Sequence, residues 1–416
     1  MFSILKNAWK IPDLRKKLLY TLLLLVVFRL GSHIPVPFIN RDILPQLFGS
    51  GNNTLFGLAN IMSGNALEQA TIFAMSITPY INSSIIMQLL TVAIPALEKM
   101  AKEGEEGKKK IAKITRIVTI VLAFVQASGL YMAVVDTSFK GPITFFAVVL
   151  TLTAGTAFLM WLGEQINEKG VGNGISMIIF AGIVSGAPTA LYSFIVGGTN
   201  WLIIAALALI ILVVIGFIVL MNNAERRIPV QYAKRVVGRK MYGGQSTHVP
   251  IKVAMAGVLP IIFAVSIMAF PATIAQMLGG AGTGFWAGVI RVLSPGSIWY
   301  SIIYFILIIL FTFFYTELQF NPIEIANNMK ANGGFVPGLR PGKPTSDFIR
   351  MVLNRITLIG AIFIALIAVV PTLLSHINPA FAFGGSSLII VVGVAIETVK
   401  QIESQMLMRH YKGFLD

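Results

Sequence analysis

The chain has 416 residues, 56% of them hydrophobic and only 12% charged, and no water-soluble core of this size absorbs so much apolar surface. Thirty-two Lys and Arg against 17 Asp and Glu give a net charge of +15, and the absence of Cys excludes disulfides, thiolate metal sites and thiol catalysis. A basic excess of this kind suits nucleic acid or anionic lipid, and its placement along the chain decides between them.

In chain order, Lys6, Lys10, Arg15, Lys16 and Lys17 precede the first apolar run. That run mimics a signal peptide, but no small-x-small cleavage site follows, so a retained span is expected. Ten spans are predicted, at about 18–33, 71–95, 111–135, 142–163, 174–194, 201–221, 251–275, 297–318, 350–370 and 386–408. Stretches such as Trp201–Met221 lack any charge and cover the ~20 residues needed to cross ~30 Å of hydrocarbon. Basic residues crowd every second gap: the N-terminus, Lys99–Arg116, Lys169, Arg226–Lys252, Lys330–Arg355 and Lys400–Lys412. In the other gaps Arg41, Lys140 and Arg291 stand alone. This alternation is the positive-inside pattern, and it places both termini in the cytoplasm.

Three features interrupt the series of spans. Thr54–Gly64 is apolar but about half the length of a crossing, and Gly57 and Gly64 interrupt it. A short re-entrant helix there implies a cavity, because backbone at membrane depth needs protein or water to satisfy it. The gaps 222–250 and 319–349 are too long for simple connections and predict functional projections. Five spans precede the turn near Gly197–Asn200 and five follow, so the halves 1–196 and 197–416 are expected to run inverted to one another, with a path at their interface.

Several chemistries lack their residues. Every Asp and Glu lies in a loop or near a span end, Glu164, Glu317 and Glu397 being the nearest to membrane, and no His occupies a span centre. An ion-coupled transporter of small solutes, the alternative reading, would require a midplane ionisable group. Arg29 is expected to snorkel to the outer interface. Gly338–Lys343 evokes a phosphate loop, but Pro344 replaces the Ser/Thr that would hold the metal. Gly282–Ala287 matches a relaxed dinucleotide fingerprint without a preceding strand. A membrane enzyme would need a nucleophile with its base, or two carboxylates at depth. The expectation is a passive conduit without metal or cofactor, driven from outside.

Phe28–Pro37, Thr71–Ile81, Met160–Gln165 with Gly170–Ser176, Arg226–Arg235, Gln245–Pro250, Phe335–Gly342 and Phe383–Ile390 run in the order found in one known family. In these segments the chain resembles the bacterial SecY family, the central pore subunits of the general protein-translocation channel. The resemblance implies an all-α polytopic fold of ten transmembrane helices in two inverted five-helix halves, in the bacterial plasma (inner) membrane. It also implies that Leu55, Phe56, Gly57, Leu58, Ala59, Asn60, Ile61, Met62, Ser63 and Gly64 form a plug. A constricting ring would comprise Ile77, Ile81, Ile175, Ile179, Ile262 and Ile390, residues that spacing alone would leave as ordinary core or lipid-facing positions. The pairs Ile77/Ile81 and Ile175/Ile179 are spaced to share a helix face. Asn82, Gln88 and Phe270 match positions lining a lateral gate between the second and third spans and the seventh and eighth. Implied partners are the small membrane subunits SecE and SecG, the SecA ATPase, the ribosome through its RNA, unfolded preprotein with its signal sequence, and lipid. Arg226, Arg227, Arg235, Arg239, Lys240 and Arg340 would serve docking. Two departures from the family stand out: Asn65, where a second glycine is usual, and the polar pair Asn82–Ser83.

Overall fold

The computed structural model describes residues 2–39, 60, 63–135, 140–196, 201–232, 235–237, 240–242, 246–277, 285–293, 297–374 and 385–412. A short helix, α1 (Phe2–Lys10), leads into α2 (Pro12–Gly31), which begins on a proline whose missing N–H costs nothing in a first turn. The second span is α3 (Thr78–Ala93), bent by 100° into α4 (Pro95–Lys102). Then follow α5 (Glu105–Val134), α6 (Pro142–Lys169), α7 (Gly174–Val196) and α8 (Trp201–Asn223). The second half carries α9 (Leu259–Met277), α10 (Phe285–Val292), α11 (Ile298–Gln319), α12 (Pro322–Ala331), α13 (Lys343–Leu374) and α14 (Gly385–Lys412).

Every predicted span overlies one of these helices, but the ends differ for identifiable reasons. The second helix starts at Thr78 rather than 71, because Pro79 suits only a first turn and Ser76 before it has φ +51°. The seventh starts at Leu259 rather than 251, because Ser246–Lys252 is a strand and Gly257 turns the chain at φ +60°. The ninth reaches back to Lys343. Among the described residues, four helices are long and apolar enough to cross a membrane: Glu105–Met132, Pro142–Lys169, Ile298–Ala331 and Lys343–Leu373. The bent pair makes a fifth, and Gly174–Pro188, Ala208–Asn223 and Leu259–Pro271 are shorter apolar segments. Length and apolarity of the described residues thus account for part of the ten predicted crossings.

Packing follows one scheme in both parts of the chain. Helix α5 packs on α3 and α6, and α6 on α7; correspondingly α11 packs on α9 and α13, and α13 on α14. The first span touches the fifth as the sixth touches the tenth. Small residues let backbones close in: a Cβ on Gly174 of α7 would collide with the Gly163 backbone of α6. The two parts meet where α9 lies against α3 and α5, and again where α14 lies against α7. One large apolar cluster, drawn from spans of both parts, fills the space between these seams.

The long gaps are not purely helical. Strands β1 (Glu225–Tyr232) and β4 (Ser246–Lys252) pair antiparallel, and β5 (Gly334–Phe335) joins β1 from the other loop, giving the order β4-β1-β5. Strands β2 (Arg235–Val237) and β3 (Lys240–Tyr242) form a separate hairpin. Pro229 sits in the central strand opposite His248, on a stretch that β5 leaves unpaired. A proline without an N–H is tolerated there. Ile228, Val230 and Ile251 of the sheet bury a second apolar cluster with Phe320, Met329, Val336, Ile349 and Leu353. The described roots of the loops 222–250 and 319–349 therefore share one sheet and one apolar cluster.

Candidate functional site

Five of the six isoleucines are buried members of one large apolar cluster, and the sixth, Ile175, packs against it. Ile77 is the N-cap of α3, and its carbonyl accepts a 3.0 Å bond from the Ile81 amide, so the two stack although only one lies inside the helix. Ile175 and Ile179 share a face of α7, where Asn173 Oδ1 caps the start by accepting from the Ile175 and Ser176 amides. Ile77, Ile81, Ile179, Ile262 and Ile390 are members of the large apolar cluster, and Ile175 packs against it. Ile77 and Ile179 are each 1% exposed, and Ile262 and Ile390 each 2%, so the cluster is closed around them. These residues come from spans of both parts of the chain.

The seam between α9 and the α3/α5 pair carries the polar positions. Asn82 is buried, Gln88 Nε2 donates to Ser84 Oγ at 3.4 Å, and the Tyr315 hydroxyl of α11 faces the Gln88 and Gln319 amides. Phe270 is partly exposed on α9, one residue before the internal Pro271. Sequence reasoning flagged Ser83 as unusual without finding its role. Its hydroxyl donates to the Thr115 carbonyl of α5 at 2.8 Å, and Thr119 donates to the same carbonyl at 2.7 Å. Arg116 of α5 in turn pairs with Glu164 of α6 at 2.6 Å. These contacts tie the second, third and fourth spans into one block facing α9.

Of the segment expected to form a plug, Leu55, Phe56, Gly57, Leu58, Ala59, Ile61 and Met62 lie outside the described residues; Asn60, Ser63 and Gly64 are within them. Ser63 Oγ donates to the Asn60 carbonyl at 2.8 Å. Asn60 Nδ2 donates to Glu68 Oε2, and the Glu68 amide to Asn60 Oδ1, both at 3.1 Å. Gly64 and Asn65 have φ +68° and +66°, two successive left-handed residues. Asparagine is the residue that best replaces glycine in that conformation, which explains the departure at Asn65. Arg29, expected at the outer interface, has a protein partner. It is half-buried, and its Nη1 donates to the Gly64 carbonyl at 3.0 Å, giving that carbonyl a partner.

On the loop body, Arg226 and Arg227 are exposed on β1, opposite Ile251 and Pro250. Arg227 is engaged: its Nε donates to Glu225 Oε1 at 2.7 Å and holds that carboxyl below the usual carboxylate range. Arg235 and Lys240 occupy the β2/β3 hairpin, and Arg239 lies outside the described residues. Arg340 is exposed on a turn between Gly338 (φ +83°) and Gly342 (φ +103°), and its carbonyl accepts from Thr345 Oγ1 at 2.8 Å. That bond fixes the turn from which its side chain projects.

The SecY family profile matches residues 71–399. A protein translocase subunit SecY of Streptomyces galbus is 45% identical over 441 residues, covering 100% of both chains. That of Escherichia coli K12 is also 45% identical over 417 residues, covering 97% of this chain and 94% of its own. A solved structure of a protein-conducting channel superimposes with a TM-score of 0.67 at 21% identity, over 94% of this chain and 92% of that one. Matched in sequence over its full length and in fold by that structure, the chain belongs to the SecY family.

Proposed function

We propose that this chain is the pore-forming subunit of a channel that moves unfolded secretory proteins across the bacterial plasma membrane and releases apolar segments sideways into lipid. The observation that supports the reading is that five of the six isoleucines, from spans of both parts of the chain, are buried in one apolar cluster against which Ile175 packs. A narrow apolar constriction excludes ions by dewetting yet deforms around a passing polypeptide. The halves 1–196 and 197–416 are the two jaws, a division supported by the recurring helix pairings. The segment 54–64 is the plug above the constriction, retained through Arg29 and the Asn60–Glu68 clasp. Lateral release occurs at the seam lined by Asn82, Gln88 and Phe270.

The chain carries out no chemistry itself and uses no cofactor. Energy comes from the SecA ATPase or from a translating ribosome, docked on the loop body through Arg226, Arg227, Arg235, Arg239, Lys240 and Arg340. SecE and SecG complete the membrane assembly, and both termini face the cytoplasm. Proteoliposomes holding the channel with its small subunits test this against the transporter alternative. SecA and ATP should render a radiolabelled preprotein protease-resistant inside the vesicles while a small solute stays outside. Uptake of the solute without the preprotein would reverse the assignment.

A further inference from the structure

Where the loop body springs from the sixth span, a side chain of the tenth span bonds the end of that helix. At this root the sixth span ends in Asn222–Asn223, the Val253 amide donates to the Ala224 carbonyl at 2.9 Å, and Glu225 stands opposite Lys252 across β1 and β4. A helix end leaves carbonyls without intrahelical partners, and a cation there also complements the helix dipole. At this end the cation comes from the tenth span: Lys400 Nζ donates to the Asn222 carbonyl at 3.0 Å, across 178 residues of chain. Lys400, Glu397, Lys252, Asn222, Gln319 and Gly393 line a common cavity of about 230 Å³.

The tenth span also carries Ile390. Ile390 and Glu397 are seven residues apart, which places them within ~20° of each other on one helix face. Lys400 lies ~15 Å along the axis from Ile390, on the same uninterrupted helix. We propose that Lys400 is a positioning residue that fastens the end of the sixth span, from which the loop body springs, to the tenth span, so that a partner pulling on the loops displaces Ile390 and loosens the constriction. The inference rests on the channel reading above. The loops join the sixth, seventh, eighth and ninth spans through the chain itself, whereas the tenth meets their root through this bond to the sixth span, through helix packing and through the attraction between Glu397 and Lys252 of β4.

The experiment uses the complete channel with its small subunits in proteoliposomes, at matched amounts, with SecA concentration varied. Export by the wild-type channel is the check on the underlying function; its failure would condemn that reading and not this one in particular. In Lys400→Met, export turnover should fall about tenfold, as expected for loss of one charge-assisted hydrogen bond, while half-saturating SecA stays within about twofold. Lys400→Arg, which keeps the charge and the donors, should recover most of the turnover. Wild-type turnover in Lys400→Met, a rise in half-saturating SecA in place of the turnover loss, or an arginine variant no better than methionine would each overturn the proposal.

Discussion

Replacing Ile390 by Asn tests the constriction at an enclosed point. The side chain is 2% exposed in the apolar cluster. Removing it forfeits ~2 kcal/mol of apolar burial, and an amide left there without partners adds ~1–2 kcal/mol. In an open conduit the same amide is hydrated, so nearly all of this penalty falls on the closed state. A total of ~3–4 kcal/mol shifts the closed-to-open ratio by about two to three powers of ten, at 1.4 kcal/mol per tenfold. Single-channel recording in planar bilayers, with purified channel and no substrate, should show resting ion conductance rising accordingly. The effect should grow again in the double variant with Ile81→Asn, because Ile81 belongs to the same cluster from the opposite part of the chain. The fold should tolerate both, since the remaining isoleucines still close the cluster. Resting conductance equal to wild type in the double variant, at matched protein density, would refute the constriction.

Other consequences follow from the same geometry. Arg29→Met removes the donor to the Gly64 carbonyl and should raise resting leak without lowering export, and deletion of about 56–64 should do the same more strongly; loss of export from a correctly folded deletion would give the segment another role. Cysteines replacing Asn82 and Phe270, in a chain that has none, should crosslink and arrest export, and a long flexible crosslinker should restore it; normal export through a confirmed short crosslink would remove the gate from this seam. Gly334→Val drives a side chain into the Tyr232 ring where the two loops join, so binding of both SecA and ribosome should weaken together by about tenfold if the loops are one body, whereas Arg340→Glu should abolish SecA-driven export with melting unchanged.

The span pattern was legible because hydropathy reports the solvent around a segment, and each apolar run overlies a helix. What hydropathy does not report is the partner. The second helix begins seven residues later than its apolar run because Thr71–Ile77 is apolar loop, anchored by the Val36 and Ile72 amides bonding to the Ala70 and Ile34 carbonyls. The sheet of the loop body was visible only in outline. Ile228 and Val230 alternate with exposed residues at a period of two, a strand signal that was there to be read. The two-residue β5, about a hundred positions away, carries no such signal. Likewise the ring isoleucines were named through family resemblance; nothing in their spacing separates them from Leu212 or Phe217, which face outward. The partner of Arg29 is not legible either, because a charge at a span end can meet water or a backbone carbonyl, and the Gly64 carbonyl is 35 residues away in the chain.

The central claim is that a polypeptide in transit passes through the isoleucine cluster. A photocrosslinking amino acid placed singly at Ile81, Ile179, Ile262 and Ile390, in channels holding an arrested preprotein, measures this directly. Each of the four should crosslink to the preprotein, while the same probe at the outward-facing Leu212 and Phe217 of the sixth span should crosslink only to lipid or to a small subunit. Crosslinks to the preprotein from Leu212 or Phe217 and none from the four isoleucines would place the path elsewhere and contradict the account.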